Sequence, residues 1–241
     1  MNPSARVHGL ITFANKPLYD QARIPFPLPP NFQRPKESVA IQVLENVLNK
    51  VVFKNYDTVF VNSQVPPHEQ SNEKVDLAIT YMAETLEIQV LCFIEGKRAS
   101  ERQSYSTNSV EQEALDYCQA LLASNESQPF VYAGTLVGVH LRLWVVHQGE
   151  TDLAPLWGSP FRGSNEDYKD LGDDADGDEI EKAFHQMIAV APESSIEAKG
   201  LRVKPSSGGG AIQLPQVGQP DFPPPSETPR QILPSVRHQD I

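Results

Sequence analysis

Between residues 38 and 190 the apolar positions recur in short blocks whose period switches between that of a helix and that of a strand. Ile41, Leu44, Val47/Leu48 and Val51 follow helical spacing and predict an amphipathic helix opening near Ser38. Residues 58–65 (TVFVNSQV) read as a strand stopped by Pro66-Pro67. Two β-rich runs, 75–83 and 86–98, flank a polar break at Glu84-Thr85 and predict an antiparallel hairpin. Centred between Thr85 and Leu86, that hairpin pairs Leu77 with Ile94, Ile79 with Cys92 and Tyr81 with Val90 on one face, expected to be the core. The other face carries Asp76 opposite Glu95, with Lys97 two residues further on.

After a polar loop at 99–108, Ser109-x-x-Gln112 reads as a capping box. It opens a second helix over Ala114/Leu115, Cys118 and Leu121/Leu122. Residues 130–136 and 139–147 predict two strands joined at Gly138, the second with one apolar face and one partly polar face through His140, Arg142 and Trp144. Asp178 is expected to open a third helix bearing Ile180, Ala183/Phe184 and Met187/Ile188. The order is helix, strand, hairpin, helix, two strands, helix. That predicts an α/β domain, borderline α+β, with a mixed central sheet flanked by helices.

Proline placement sets the expected boundaries. Of 21 prolines, seven fall in residues 1–35 and eight in 201–241. Residues 1–37 therefore read as an extended Pro-rich arm, 38–190 as the domain, and 191–241 as a disordered Pro/Gly/Ser-rich tail. Residues 1–10 hold no apolar h-region and no stretch is apolar enough to span a bilayer. Cys92 and Cys118, each inside an apolar element, read as core residues and not as a disulfide or zinc framework. An intracellular protein, in cytoplasm or nucleus and without a membrane, is expected.

The net charge of −11 argues against a general polyanion binder. Residues 166–181, with nine acids and one lysine, carry −8 of it, which leaves about −3 for the remainder. The Asp173–Asp178 stretch is not an EF-hand: with Gly177 at the sixth position, Gly172 and Ala183 would occupy the first and twelfth, where ligands are needed. There is no glycine-rich phosphate loop and no Gly-x-Ser-x-Gly elbow.

Asp76, Glu95 and Lys97 are the candidate chemistry. Two carboxylates directly opposed on neighbouring strands repel, and a divalent cation bridging them would offset the repulsion. A lysine on the same face is then placed to orient or activate an attacking water, which suits phosphodiester hydrolysis. Gly96, between Glu95 and Lys97, marks a bend or a close approach.

Asp76, then Glu95-Gly96-Lys97 ahead of a helix, resembles the PD-(D/E)xK nuclease superfamily, with Val75 where that motif has Pro. The stretches at 93–98, 110–112, 130–135 and 142–144 resemble, more narrowly, uncharacterised fungal members of that fold. The resemblance spans about residues 38–190 and implies a restriction-endonuclease-like fold. It implies Mg²⁺ or Mn²⁺ on Asp76 and Glu95, and Lys97 assisting water. It also implies accessory positions at Glu45 on the first helix and at Gln112 or Glu111 on the second, although Gln112 also reads as a capping residue. Arg98 and Arg142 are candidate substrate contacts, Arg142 also reading as a packing partner of Trp144. DNA or RNA is the expected substrate. The competing expectation is a non-catalytic scaffold or regulatory protein that meets protein partners through the Pro-rich arms or the acidic stretch 166–181.

Overall fold

The computed structural model describes residues 2–23, 35–67, 73–99 and 103–192. The proline run at 25–30, His68, Arg102 and the tail beyond 192 lie outside the described residues.

The N-terminal segment is not an extended arm. It forms β1 (Arg6–His8), β2 (Ile11–Thr12) and α1 (Lys16–Ala22). Leu10, Ile11, Tyr19 and Ala22 are buried in the main core. Only two of the seven N-terminal prolines, Pro3 and Pro17, precede residue 24, and Pro17 sits in the first turn of α1, where a missing N–H costs nothing. Pro25, Pro27, Pro29 and Pro30 lie outside the described residues.

Next come α2 (Glu37–Val47), β3 (Val59–Val65), β4 (Val75–Met82) and β5 (Ile88–Lys97). α2 forms where the periodicity placed it and widens into a π-turn over Leu48–Val52. α3 (Gln103–Ser124) starts six residues ahead of Ser109, so no capping box forms there. Ser109 instead lies inside the helix and donates to Oε1 of Glu113, one turn on, at 3.1 Å. Then follow β6 (Phe130–Val137), β7 (His140–His147), β8 (Ala154–Pro155), β9 (Lys169–Asp170) and α4 (Asp174–Ala189). α4 opens at Asp173, not Asp178: the Asp173 carboxylate accepts from the N–H groups of Ala175 and Asp176.

The central sheet has the order β3-β4-β5-β6-β7-β8, with β9 also on β7. β5 and β6 are parallel and joined by α3, and the other pairs are antiparallel. This is a mixed α/β architecture with helices on both faces. α2 and α4 cover one face through Val43, Leu44, Ile180 and Phe184, in one core with Leu77, Ile79 and Ile94, and α1 packs on α2. α3 packs the other through Ala114, Leu115 and Cys118 onto Ala78, Phe93, Ala133 and Trp144. The hairpin therefore has two buried faces, where alternation suggested one.

The hairpin register matches expectation at one end and departs at the other. Leu77 faces Ile94 and Ile79 faces Cys92, but Thr80 faces Val90 and Tyr81 faces Gln89, across an irregularity after Ile79. The tight turn is centred at Thr85: Leu86 N–H bonds Ala83 O, Ala83 N–H bonds Glu87 O, and Leu86 takes φ +65°. An extra residue in β5 near Leu91 restores the register toward the Asp76 end. The turn and the bulge compensate. That is why a turn misplaced by half a residue still aligned Asp76 with Glu95.

Candidate functional site

Asp76 lies near the start of β4 and Glu95 near the end of β5, so antiparallel pairing brings both to one end of the sheet. The backbone N–H of Asp76 donates to Oε1 of Glu95 at 3.1 Å. The N–H of Gly96 donates to Oδ2 of Asp76 at 3.0 Å, and Gln64 donates to Oδ1 at 3.3 Å. Gln64 falls opposite Asp76 on the edge strand, between the pairs Ser63–Leu77 and Val65–Val75 of an unbroken register, and takes φ +56° there. A non-glycine residue in that region is strained. Nothing in the VFVNSQV sequence singles it out.

Gly96 marks a close approach. A Cβ there would run into Cδ1 of Ile41 on α2 and stand 3.5 Å from Oδ2 of Asp76. The missing side chain lets α2 settle against the sheet and lets the Gly96 N–H reach the carboxylate.

The Lys97 ammonium donates to Oε2 of Glu113 at 2.6 Å, and Ser109 supports Oε1 of the same carboxylate. Glu37, first residue of α2, completes the cluster: it accepts from the Arg98 backbone and lies within electrostatic reach of Lys97, Asp76 and Glu113. Tyr117, one turn beyond Glu113, senses Glu95 in the same way. Sequence reasoning missed Glu37, Gln64, Glu113 and Tyr117. Glu37 read as an ordinary acid at a helix start. Glu113 is one residue from the expected Gln112, a rotation of about 100° around the helix.

The other expected positions lie apart. Glu45 is eight residues from Glu37, about 12 Å along the helix axis. Gln112 is exposed, donates to Asp116 at 2.7 Å and accepts from Arg162 at 3.0 Å. Glu111 is fully buried on another flank of α3, where it accepts from Gly163 N–H at 2.6 Å and Tyr168 OH at 3.0 Å. Arg142 cannot contact substrate: it is 0% exposed and lies 4.0 Å from the Trp144 ring centroid. It pairs with Asp167 at 3.1 Å and donates to the carbonyls of Ser159 and Phe161. Tyr168 OH and Trp144 Nε1 meet at Thr135 Oγ1 (2.8 and 2.9 Å), which completes a buried polar network. Arg98 is exposed at the end of β5, beside the site.

Much of the acidic stretch 166–181 is spent inside the fold. Asp174 accepts from Gly9 N–H at 2.5 Å, Glu181 pairs with Arg6 at 2.6 Å, and Asp170 accepts from Tyr19 OH at 2.8 Å. Asp176 and Glu179 hold Lys169. These acids fasten the N-terminal segment and α4 to the sheet.

The site carboxylates are held in a protonation-prone setting. Burial and then the Asp76 charge push Glu95 up to about 8. Burial raises Asp76 above the usual carboxylate range, against the Gly96 N–H, Lys97 and Gln64. Burial likewise raises Glu37, against Lys97. For Lys97, burial favours the neutral amine, but the Glu113 hydrogen bond and the Glu37 and Glu95 charges outweigh it and raise its pKa.

As a metal site the donor set fits in kind. Asp76 and Glu95 supply two oxygen ligands, and Mg²⁺ commonly takes one or two carboxylates while keeping several waters. Among the described residues, however, no three His, Cys, Asp or Glu side chains are grouped to hold an ion. The chain matches no protein-family model, no curated protein and no solved structure. Among the described residues, no helix is long and apolar enough to cross a membrane.

Proposed function

We propose that residues 38–190 form a restriction-endonuclease-like domain and that Asp76, Glu95 and Lys97 serve divalent-metal-dependent phosphodiester hydrolysis of nucleic acid. The observation that carries this reading is the 3.1 Å bond from Asp76 N–H to Glu95 Oε1, which sets two buried or half-buried carboxylates side by side with a lysine two residues on. The strand order, with β5 and β6 parallel across α3, supports it. Asp76 and Glu95 would hold Mg²⁺ or Mn²⁺, which when bound supplies Lewis acidity at a phosphoryl oxygen. Lys97, with its raised pKa, stays charged near neutrality and acts as a donor that orients water, not as the proton acceptor. Glu113 sets the position of that ammonium.

A second reading, a scaffold that keeps the fold without catalysis, is favoured by one observation: the Lys97 ammonium is already engaged by Glu113 at 2.6 Å. Thermal unfolding with and without Mg²⁺ or Mn²⁺ separates the two. The nuclease reading expects a metal-dependent rise in Tm and cleavage of DNA or RNA, both abolished in Asp76→Ala and Glu95→Ala. No shift and no cleavage leaves the scaffold reading. Cleavage that survives in Glu95→Ala assigns the activity elsewhere.

A further inference from the structure

We infer that the site takes a single-stranded nucleic-acid backbone, gripped by Lys36, Lys74 and Arg98; this rests on the nuclease reading above. Three of the four chain segments that bring a charged group to the site, all but α3 with Glu113, carry an exposed cation within two residues of it. Lys36 precedes Glu37 at the start of α2, Lys74 stands two residues before Asp76, and Arg98 follows Lys97. All three are exposed, and among the described residues none is in an ion pair. Five other cations are spent internally, Arg6 on Glu181, Lys97 on Glu113, Arg142 on Asp167, Arg162 on Asp152 and Lys169 on Asp176, whereas Arg23, Lys50, Lys54 and Lys182 are not next in sequence to a charged residue of the site. Lys36, Lys74 and Arg98 thus place uncommitted positive charge on the chain segments that carry Glu37, Asp76 and Lys97.

Two observations select a single strand. Proteins that hold duplex tightly neutralise on the order of 6–10 phosphates, and three cations on a chain of net charge −11 fall well short. Glu95 is also recessed, at 4% exposure, so a reacting phosphate must leave the surface of a regular helix to reach it. A single strand bends inward without unpairing.

The test is fluorescence anisotropy of short labelled DNA and RNA single strands and a blunt DNA duplex, in EDTA, so that binding is read without turnover. Three contacts on a single strand predict a log–log salt slope of about −2. The variant Lys36→Gln/Lys74→Gln/Arg98→Gln is expected to weaken single-strand binding about 100-fold near 0.1 M salt and to flatten that slope. Circular dichroism checks that these surface changes leave the fold intact. An unchanged slope in the triple variant, or tighter binding of the duplex, overturns the inference. Mn²⁺-dependent hydrolysis of bis(p-nitrophenyl) phosphate by the unaltered protein tests the nuclease reading separately. Turnover with an unchanged slope sinks only the single-strand grip; the expected slope without turnover sinks only the hydrolase.

Discussion

Asp76 and Glu95 hold one another through the backbone: Asp76 N–H donates to Oε1 of Glu95, and the N–H of Gly96, next to Glu95, returns to Oδ2 of Asp76. Each carboxylate is thereby fixed by the strand that carries the other. Two carboxyl groups are kept adjacent by a pair of bonds that fix their positions.

That arrangement gives stability a definite pH dependence. Glu95 titrates at about 8 in the fold against a usual value of 4.5, so the folded state binds a proton that the unfolded chain has lost. Its contribution is fully present below about 4.5 and is lost as pH rises through about 8, a cost on the order of a few kcal/mol. Glu95→Gln keeps an oxygen for the Asp76 N–H and removes the charge. Its Tm advantage over the unaltered protein should grow between about pH 5 and pH 8 and then level off. Parallel Tm–pH curves for the two proteins would contradict this.

The same proton couples to metal. If Asp76 and Glu95 hold Mg²⁺, binding must ionise Glu95 and release a proton near neutrality. Calorimetric titrations at pH 7 in buffers of different ionisation enthalpy should report close to one proton released, and affinity should rise toward pH 9. Affinity independent of pH would remove Glu95 from the ligand set.

Gly96 and Ile41 should be energetically coupled. Gly96→Ala places a methyl against Ile41 Cδ1 and is expected to cost about 1–3 kcal/mol in denaturant unfolding. Ile41→Val removes that Cδ1, so the double variant should recover part of the loss. Strictly additive effects would mean that α2 simply shifts to make room.

Arg142 should matter for folding and not for substrate. Arg142→Met leaves Asp167 and the buried Glu111 without their cation, and a loss of about 3–5 kcal/mol is expected. Arg142→Lys should rescue little, because an ammonium cannot serve the Asp167 carboxylate and the Ser159 and Phe161 carbonyls as the planar guanidinium does. Full rescue by lysine would reduce its role to charge alone.

The N-terminal segment should prove part of the cooperative unit. Leu10→Ala empties a fully buried position and should cost about 2–5 kcal/mol, and Arg6→Ala, at an exposed pair, under about 1 kcal/mol. A negligible effect of Leu10→Ala would restore the picture of a detachable arm.

Local pattern was enough for the middle elements. α2, β3 and the hairpin follow from apolar spacing and turn residues, signals that act within a few residues, and the hairpin alone placed Asp76 beside Glu95. The charged residues around that pair were not legible. Glu37, Gln64 and Glu113 come from three other segments, and their approach depends on how helices rotate against the sheet. Arg142 was half legible: its packing on Trp144 follows from alternation, but its complete burial depends on the 156–168 loop closing over it.

What the sequence determined by itself, then, is the run of periodic elements from 38 to 190 and the Asp76, Glu95 and Lys97 positions on one hairpin. Tertiary structure alone decided that residues 6–22 join the core, that both faces of the hairpin are covered, and that the acids of 166–181 fasten the chain to itself. It also decided which acids surround Lys97. The physical reason is range. Backbone hydrogen bonding and side-chain alternation are settled between neighbours, whereas burial and charge pairing are settled by whatever distant segment packs against them, such as Glu181 on Arg6 and Glu113 on Lys97.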